Sequence, residues 1–513
     1  MNRMTRIACV LALMGAACGG SSYYAQGGMD EAYYGGEAES ESTDMAASTG
    51  GDMGGAPAAG ESYSHTEESP VVDTRQDRLA TFSLDVDTAS YTIMRRDINS
   101  GRLPSPRSVR AEEYINFFNF DDRGPDPQSD TPFAVHLEAA PSPFREGRHL
   151  LRIGVRAMDV DQQARPQTNL VFLVDVSGSM ASPDKIGLIQ YSLRELSRNL
   201  RGNDRVAIVA YAGSDRIVLP PTELSHRAPV EAGINALAAG GGTNGAAGIR
   251  TAYDLAAQHF VRGGINRVVL CTDGDFNVGL TGEGLIEEVA RRREQGITLS
   301  VFGYGRGNLN DAFMEQLADR GNGNYGYIDT AREADRAFGR DLSATLQVVA
   351  KDAKVQVEFN DRVVRSHRIV GYDNRILAHE DFANDQVDAA EVGAGDFVTA
   401  FIEIELRRGM SLDQLEGPLA EVHLRYKDPD GAQSYLRSYP FSASDGVARF
   451  DQASRGFRFG AAVAAYAEIL SQSDHSQSTS FERVISIAAG ALGQEEEQRE
   501  FVELARAASR LAR

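Results

Sequence analysis

Cysteine is scarce in this chain of 513 residues, which has only three of them. Two, Cys9 and Cys18, lie within the first eighteen residues, so Cys271 alone remains for the body of the protein. A disulfide framework is thereby excluded, and the fold must be held by its hydrophobic cores. Because Cys271 follows the apolar residues 268–270, we expect it to be a small buried side chain.

The chain also lacks a basic patch. Its formal net charge is −21, and removal of Arg3 and Arg6 with an N-terminal signal would make it −23. Residues 19–77 hold twelve acidic residues and one arginine among Gly, Ser and Ala, with almost no aliphatic side chains. Such a segment buries too little apolar surface to offset the entropy of ordering. We therefore predict a disordered acidic tether over residues 19–78 and no binding to nucleic acid.

Common catalytic motifs are missing as well. There is no His-Glu-x-x-His, no Gly-x-Ser-x-Gly and no phosphate loop with lysine, and the nine histidines form no metal-binding spacing. Residues 84–88, Leu-Asp-Val-Asp-Thr, resemble the nucleophile loop of haloacid-dehalogenase phosphatases but lack that fold's βα unit and downstream Lys/Asp context. We expect a protein that is not an enzyme, with a Mg²⁺-dependent hydrolase or phosphatase as the less favoured alternative.

Apolar runs long enough to span a bilayer are absent too. The longest N-terminal run, Ile7 to Ala17, follows Arg3 and Arg6 and has the length of a secretory signal. Residues 15–18, Gly-Ala-Ala-Cys, resemble a bacterial lipoprotein cleavage box, although Gly15 stands where leucine is usual. This resemblance implies a signal peptide over residues 1–18 and lipidation of Cys18. The alternative is ordinary secretion with Cys18 as a free thiol.

The lipoprotein resemblance also implies a location. Gly19 follows the cysteine instead of Asp, which in Gram-negative lipoproteins points to the outer membrane. We expect a lipid-anchored protein of the cell envelope that faces the periplasm or the cell surface.

Three separate segments carry carboxylate or hydroxyl side chains whose oxygen atoms could bind a single metal ion. Asp175, Ser177 and Ser179 follow the apolar run 169–174, Thr243 lies on a Gly-rich loop, and Asp273 follows another apolar strand. A set made only of oxygen ligands suits Mg²⁺, which keeps several waters and rarely has a full protein cage. The alternative is that the serines cap the following helix and Asp273 starts a turn.

From residue 169 strands and helices alternate, which predicts a doubly wound, mostly parallel sheet covered on both faces. In such sheets ligands bind beyond the carboxyl ends of the strands, where all three segments lie. The short spacing of the second and third strands predicts a hairpin at a sheet edge, ended by Pro220-Pro221. The predicted strands are 169–175, 205–211, 215–219, 267–272, 297–303 and 324–328. The predicted helices include 229–238, 282–295, 310–319 and 331–348, and a further helix after the Gly-rich loop has Phe260 on its buried face.

The flanks of this unit alternate apolar and polar residues with period two. This pattern predicts strands before it, at 133–139 and 151–157, and several after it. We expect a β-sandwich-like domain into which the α/β unit is inserted. The predicted organisation is an N-terminal flanking region (79–165), the α/β unit (166–348), a β-rich region (349–450) and a helical region (451–513), whose last helix is striped by Phe501, Leu504, Ala508 and Leu511.

Together these features resemble von Willebrand factor A (VWA) domains and, more narrowly, bacterial VWA lipoproteins of the YfbK type. The Asp-x-Ser-x-Ser, lone Thr and later Asp match the metal-ion-dependent adhesion site of VWA domains at all five positions. Flanking segments that resemble the YfbK type are 81–91, 110–117, 371–375 and 384–388.

The resemblance implies Mg²⁺, with Mn²⁺ as a substitute, bound by Asp175, Ser177, Ser179, Thr243 and Asp273. It implies that the two aspartates bind mainly through water. A partner protein would offer an Asp or Glu carboxylate to the open coordination position, as expected of an adhesion or assembly module. The alternative within this class is a structural envelope lipoprotein whose metal only braces the loops.

Overall fold

The computed structural model describes residues 60–64, 68–84, 87–161, 163, 165–242, 245–274, 282–341, 346–387, 389–415, 417–442 and 445–513. The signal peptide, Cys18 and residues 19–59 of the predicted tether lie outside these ranges. No helix in the described part of the chain combines the length and the apolar character needed to cross a membrane.

Strands and helices of the described residues are numbered in chain order. The strands are β1 (Val72–Asp73), β2 (Leu79–Ser83), β3 (Phe133–Pro141), β4 (Arg148–Ala157), β5 (Thr168–Asp175), β6 (Arg205–Tyr211), β7 (Asp215–Glu223), β8 (Ile265–Thr272), β9 (Thr298–Tyr304), β10 (Tyr325–Ile328), β11 (Val348–Phe359), β12 (Val364–Val370), β13 (Ala390–Gly393), β14 (Phe397–Leu406), β15 (Ala420–Lys427) and β16 (Ser434–Phe441). The helices are α1 (Ala89–Asn99), α2 (Ala111–Ile115), α3 (Leu188–Asn199), α4 (Arg227–Asn235), α5 (Gly245–Gln258), α6 (Gly282–Glu294), α7 (Asp311–Arg320), α8 (Ala331–Asp335), α9 (Arg455–Leu470), α10 (Phe481–Ala489) and α11 (Glu496–Leu511).

The central sheet has six strands in the order β10-β9-β8-β5-β6-β7, all parallel except β7. Every residue of β5 is buried, because side chains of alternate residues enter the cores on opposite faces of the sheet. Leu170, Phe172 and Val174 pack on one side, and Val171 and Leu173 on the other. This confirms the predicted doubly wound sheet covered on both faces.

The edge hairpin of β6 and β7 is confirmed, but Pro220-Pro221 does not end it. β7 continues through both prolines to Glu223, and its pairing with β6 shifts register on the way. An edge strand tolerates proline because one side of its backbone needs no ladder hydrogen bond. Our prediction that the strand stops at residue 219 was therefore wrong.

Three further details differ from the sequence prediction. The helix predicted over 331–348 is not a single α-helix: α8 continues as a π-helical segment, Arg336–Arg340, residues 342–345 lie outside the described residues, and β11 already begins at Val348, a β-branched residue. Phe260 lies beyond the end of α5 and is 41% exposed. Leu511 is 38% exposed at the end of α11, while Phe501, Leu504 and Ala508 are buried as expected.

Two antiparallel sheets flank the central one. One has the order β1-β12-β14-β4-β3, and the other has the order β13-β11-β15-β16 with β2 beside β11. They share one hydrophobic core, in which Phe133 and Leu151 from before the central sheet meet Val355 and Val422 from after it. Strands from both sides of the α/β unit thus build one β-sandwich-like body, as expected for an inserted unit.

A helical cluster covers the other face of β4 and β14. Helices α1 and α2 pack with α9, α10 and α11 around aromatic side chains such as Tyr91, Phe118 and Phe501. Helix α9 begins at Arg455 and is N-capped by Ser454, whose hydroxyl accepts a hydrogen bond from the Phe457 N–H at 3.0 Å.

Part of the predicted tether belongs to the folded body. β1, which lies within the range 19–78, pairs with β12, and Glu61 is only 8% exposed. The Glu61 carboxylate lies 3.1 Å from the Arg96 guanidinium, and this pairing offsets the cost of burying both charges. The prediction of a disordered segment was therefore wrong for residues 60–64 and 68–78, because composition does not show which acid finds a buried partner.

Candidate functional site

The candidate site lies at the carboxyl edge of the central sheet. β5 ends at Asp175 and its parallel neighbour β8 ends at Thr272, with Val174 opposite Cys271 in the register. Asp273 is the next residue after β8. The buried strands thus bring the two predicted acidic ligands to adjacent strand ends.

The turn after β5 buries Asp175 and Ser177 and exposes Ser179. Asp175 is fully buried, Ser177 is 2% exposed and Ser179 is exposed. One Asp175 carboxylate oxygen accepts a hydrogen bond from the Ser177 N–H at 2.8 Å, and the other accepts from the Tyr211 and Thr272 hydroxyls at 3.2 and 3.3 Å. These bonds fix the carboxylate beneath the turn. The Ser177 and Ser179 hydroxyl oxygens lie 2.9 Å apart above it.

The Gly-rich loop that precedes Thr243 packs directly on this turn. The Gly240 N–H donates to the Val176 carbonyl at 2.7 Å, and the Gly178 N–H donates to the Gly241 carbonyl at 3.0 Å. Gly241 has φ +96°, in the left-handed region that favours glycine. Thr243 itself lies outside the described residues. The residues up to 242 lead the chain to the edge where the other four predicted ligands meet.

Asp273 has a cationic neighbour that the sequence analysis missed. The Lys185 ammonium lies 2.8 Å from one Asp273 carboxylate oxygen and 3.3 Å from the Asn308 side-chain oxygen. Lys185 comes ten residues after Asp175, on the π-helical segment Pro183–Gly187. The signal available in the sequence was that Lys185 is one of four lysines in a chain whose basic residues are nearly all arginine.

The two carboxylates differ in their electrostatics. Burial, together with the nearby Asp273 charge, raises the pKa of Asp175 to about 6, although hydrogen bonds from Ser177 and Tyr211 oppose the rise. Burial also opposes ionisation of Asp273, but hydrogen bonds from Lys185 and Ser179 outweigh it and lower the pKa of Asp273. Two buried acids beside one ammonium leave a negative edge that a cation would stabilise.

The residues present fit a Mg²⁺ ion. Two oxygens bound at adjacent positions of an octahedral Mg²⁺, each at about 2.1 Å, are about 3 Å apart, close to the observed separation of the Ser177 and Ser179 hydroxyls. The donors are hydroxyls and carboxylates, which are hard ligands. No cluster of three or more His, Cys, Asp or Glu side chains that could hold a metal occurs among the described residues, so this candidate site depends on its hydroxyls.

The other acidic motif considered in the sequence has a structural role. Asp85 lies outside the described residues. The Asp87 carboxylate is buried, accepts a hydrogen bond from the Tyr325 N–H at 2.8 Å and pairs with Arg375 at 3.0 Å. Asp87 therefore joins the flanking regions to the central sheet. Cys271 is fully buried, as expected, and burial raises the pKa of its thiol to about 12.

The chain matches three described protein families. Residues 169–338 match the family described as von Willebrand factor type A domain, and residues 57–152 match one described as von Willebrand factor. Residues 344–511 match the family described as Uncharacterized protein YfbK, C-terminal.

Two known proteins resemble the chain at the level of sequence. It is 42% identical over 464 residues to "Uncharacterized protein YfbK" of Escherichia coli (strain K12), and the matched region covers 86% of this chain and 80% of that protein. It is 25% identical over 297 residues to "Uncharacterized protein sll0103" of Synechocystis sp., and the matched region covers 56% of this chain and 69% of that protein.

Solved structures with a similar fold include two VWA proteins. A von Willebrand factor type A protein from Catenulispora acidiphila is 16% identical, with a TM-score of 0.43, over 75% of this chain and 92% of that one. The ArnB paralog VWA2 from Sulfolobus acidocaldarius is 13% identical, with a TM-score of 0.36, over 74% of this chain and 98% of that one.

Proposed function

The chain belongs to the YfbK family of VWA-domain proteins, and we propose that it is a cell-envelope lipoprotein that binds a protein partner through Mg²⁺. The observation that carries this proposal is the pair of Ser177 and Ser179 hydroxyls, 2.9 Å apart, above the buried Asp175 carboxylate at an exposed edge. Thr243 and Asp273 would complete the set of ligands, and Mn²⁺ would substitute for Mg²⁺. Lipidation at Cys18 would anchor the protein to the outer membrane.

The surroundings of the edge suit a protein partner. Gly178, Gly241 and Gly242 are exposed and have no side chain that would block the approach of another backbone, and the exposed Ser179 has only a small one. Neutral hydroxyl ligands and water-mediated aspartates would leave the ion with much of its positive charge. An open coordination position on such an ion attracts an anionic oxygen, so the partner would supply an Asp or Glu carboxylate. At about 0.15 M salt charges beyond about 8 Å are screened, so this local charge decides over the chain's net negative charge.

The arrangement of the two aspartates favours a role in binding over a role in hydrolysis. The described edge holds Lys185 as an ion-pair partner of Asp273, and Asp175 is engaged by three hydrogen-bond donors, so neither acid is set up as a general base toward an open cavity. We therefore propose a binding module and not a catalyst. Screening for hydrolase and phosphatase activity with and without Mg²⁺ tests this part, and Mg²⁺-dependent turnover would contradict it.

A pull-down from membrane extracts, performed once with Mg²⁺ and once with a chelator, can identify the partner. We expect capture that needs Mg²⁺ or Mn²⁺ and is lost in Ser177→Ala and Thr243→Ala. Ser225→Ala is a matched control, because Ser225 is exposed at the opposite edge, where its N–H bonds the Gly202 carbonyl before β6. Surface plasmon resonance with the captured partner, its exposed acids mutated singly, then identifies the carboxylate.

Two outcomes would contradict the proposal. Binding that survives the chelator, or that no single acid of the partner controls, would put the interface elsewhere. If the metal binds but its removal releases no partner, the metal braces the loops only, which is the structural alternative.

A further inference from the structure

We propose that Lys185 is a fixed positive charge beside the proposed Mg²⁺ site. This charge lowers the affinity of the site for the metal and gives the occupied site a net positive charge. This inference rests on the proposed Mg²⁺ site and concerns the class of partner that it selects. In this role Lys185 is a positioning residue. It holds the Asp273 carboxylate and makes the occupied edge specific for an anionic ligand.

The position of Lys185 is specified by the fold. Its side chain is 8% exposed, and lysine is almost never buried without a partner. The ammonium lies 2.8 Å from an Asp273 oxygen and 3.3 Å from the Asn308 amide oxygen, so two acceptors from different loops direct it to the edge. Asp273 follows β8 and Asn308 follows β9. The lysine therefore bridges the ends of two neighbouring parallel strands.

A glycine makes room for the lysine. Gly305, directly after β9, has φ +72°, and a Cβ at this position would collide with the aliphatic stem of Lys185. Any larger residue there would be strained by its backbone conformation and would also displace the stem. The close packing of Gly305 on Lys185 indicates that the ammonium is held at the edge and does not merely rest there.

The nearby loops support the same arrangement. Gly274, with φ +94°, packs against the backbone of Leu309 and Asn310, so the loops after β8 and β9 are in direct contact. The Ser62 N–H donates to the Leu309 carbonyl at 2.9 Å, and the Asp311 N–H donates to the Ser62 carbonyl at 3.2 Å. The loop that carries Asn308 is thus fixed on two sides.

The charges decide what this lysine does. Asp175 and Asp273 carry −1 each, so with Mg²⁺ alone the site would be neutral, and with Lys185 it becomes +1. A like charge a few ångström from the ion repels it, and the repulsion is large in a partly buried setting. The Asp273 oxygen that accepts from Lys185 is also less available to the metal. Lys185 should therefore weaken metal binding and strengthen the attraction for an acidic side chain.

The first test is the affinity for the metal. Titration calorimetry with Mg²⁺ and Mn²⁺ compares the full-length protein with Lys185→Met, which keeps the length of the stem and removes the charge. We expect Lys185→Met to bind both metals about tenfold tighter or more. Lys351→Met, in β11 of an antiparallel sheet, is the matched control and should not change the affinity. Equal or weaker metal binding by Lys185→Met overturns the proposal.

A purely structural role would give a different result, because loss of the ion pair would loosen the edge and weaken the metal. If Lys185→Met fails to fold by circular dichroism, Lys185→Gln serves instead, since its amide still donates to Asp273 without charge. Tighter metal binding is expected of Lys185→Gln as well, and weaker binding contradicts the proposal.

The second test is the preference for an anion. With Mn²⁺ at saturation, water-proton relaxation reports displacement of metal-bound water by a blocked Gly-Asp-Gly peptide, with Gly-Asn-Gly as the neutral control. We expect the acidic peptide to bind severalfold more weakly to Lys185→Met than to the wild type. An unchanged affinity refutes the claim that Lys185 sets the preference for an anionic partner.

The outcomes separate this inference from the proposed function. If the wild type binds no metal but Lys185→Met does, the Mg²⁺-dependent function fails while Lys185 is supported as a competitor for the cation. If the wild type binds metal and the variant binds it no tighter, the function stands and the inference falls. If neither binds metal, both fall.

Discussion

Replacing Arg95 with alanine should lower the free energy of unfolding by about 3–5 kcal/mol, because it leaves buried carboxylates without their cation. The Arg95 side chain, on α1, is 2% exposed. Its guanidinium lies 2.6 Å from Asp329 and 2.9 Å from Glu333, which are equally buried, and 3.3 Å from Glu500 on α11. One side chain thus connects the end of β10, α8 and the C-terminal helix.

A surface arginine in the same region provides the scale. Arg332, on α8, lies 2.9 Å from Glu496 at the start of α11, but the two side chains are 47% and 67% exposed. Exposed pairs contribute about 0–1 kcal/mol, so Arg332→Ala should have little effect. Both arginines pair with a glutamate of α11, so the comparison sets a buried ion-pair network against an exposed ion pair at the same helix.

Urea denaturation of the full-length protein measures the difference. Tyrosine fluorescence and circular dichroism are the probes, since the chain has no tryptophan. We expect the transition midpoint of Arg95→Ala to fall well below that of Arg332→Ala, which should stay near the wild type. If the two variants unfold within about 1 kcal/mol of each other, the buried network does not hold the flanking helices to the central sheet as argued.

Three further variants test separate parts of the account. Asp175→Ala should abolish Mg²⁺ binding by calorimetry but keep the circular dichroism spectrum, since an open-site ion stabilises by linkage only, roughly 1–3 kcal/mol; failure to fold would show a structural site. Burial, aided by the Glu113 charge, raises the pKa of Glu112 to about 7 from its ordinary value of 4.5, so the folded protein keeps a proton that the unfolded chain has released. Stability should therefore fall as pH rises from about 4.5 to about 7, by up to about 3 kcal/mol, and Glu112→Gln should flatten this profile of the thermal midpoint; a parallel profile would contradict it. Cys18→Ser should leave the protein uncleaved or in the soluble fraction, and an unacylated soluble wild type by mass spectrometry would refute the lipid anchor.

The central sheet could be predicted well because its signals are local. β5 and β8 contain the continuous apolar runs 170–174 and 268–271, and Ile189, Leu193 and Leu196 of α3, which recur at helical spacing, are buried on one face. Parallel strands end at a common edge, so the convergence of Asp175 and Asp273 followed from strand ends alone. Boundaries failed where tertiary position overrides propensity, as at Pro220 on an edge strand.

Lys185 and Arg95 could not be found in this way. Each acts through partners far along the chain, such as Asp273 for Lys185 and Asp329 for Arg95, and no local pattern encodes that pairing. Glu61 shows the same limit, since an acidic, Gly-rich stretch predicts disorder until Arg96 is known to face it. Long-range ion pairs in the interior depend on packing that a single sequence does not display.

Calorimetric titration of Mg²⁺ into the wild type and Ser177→Ala tests the central claim most directly. Ser177 is nearly buried, close to the Ser179 hydroxyl and above Asp175, so removing its oxygen deletes one proposed ligand without disturbing a strand. The account predicts one saturable Mg²⁺ site in the wild type that is lost in Ser177→Ala and retained in the control Ser225→Ala. Saturable binding that persists unchanged in Ser177→Ala, or no saturable binding in the wild type, would contradict it.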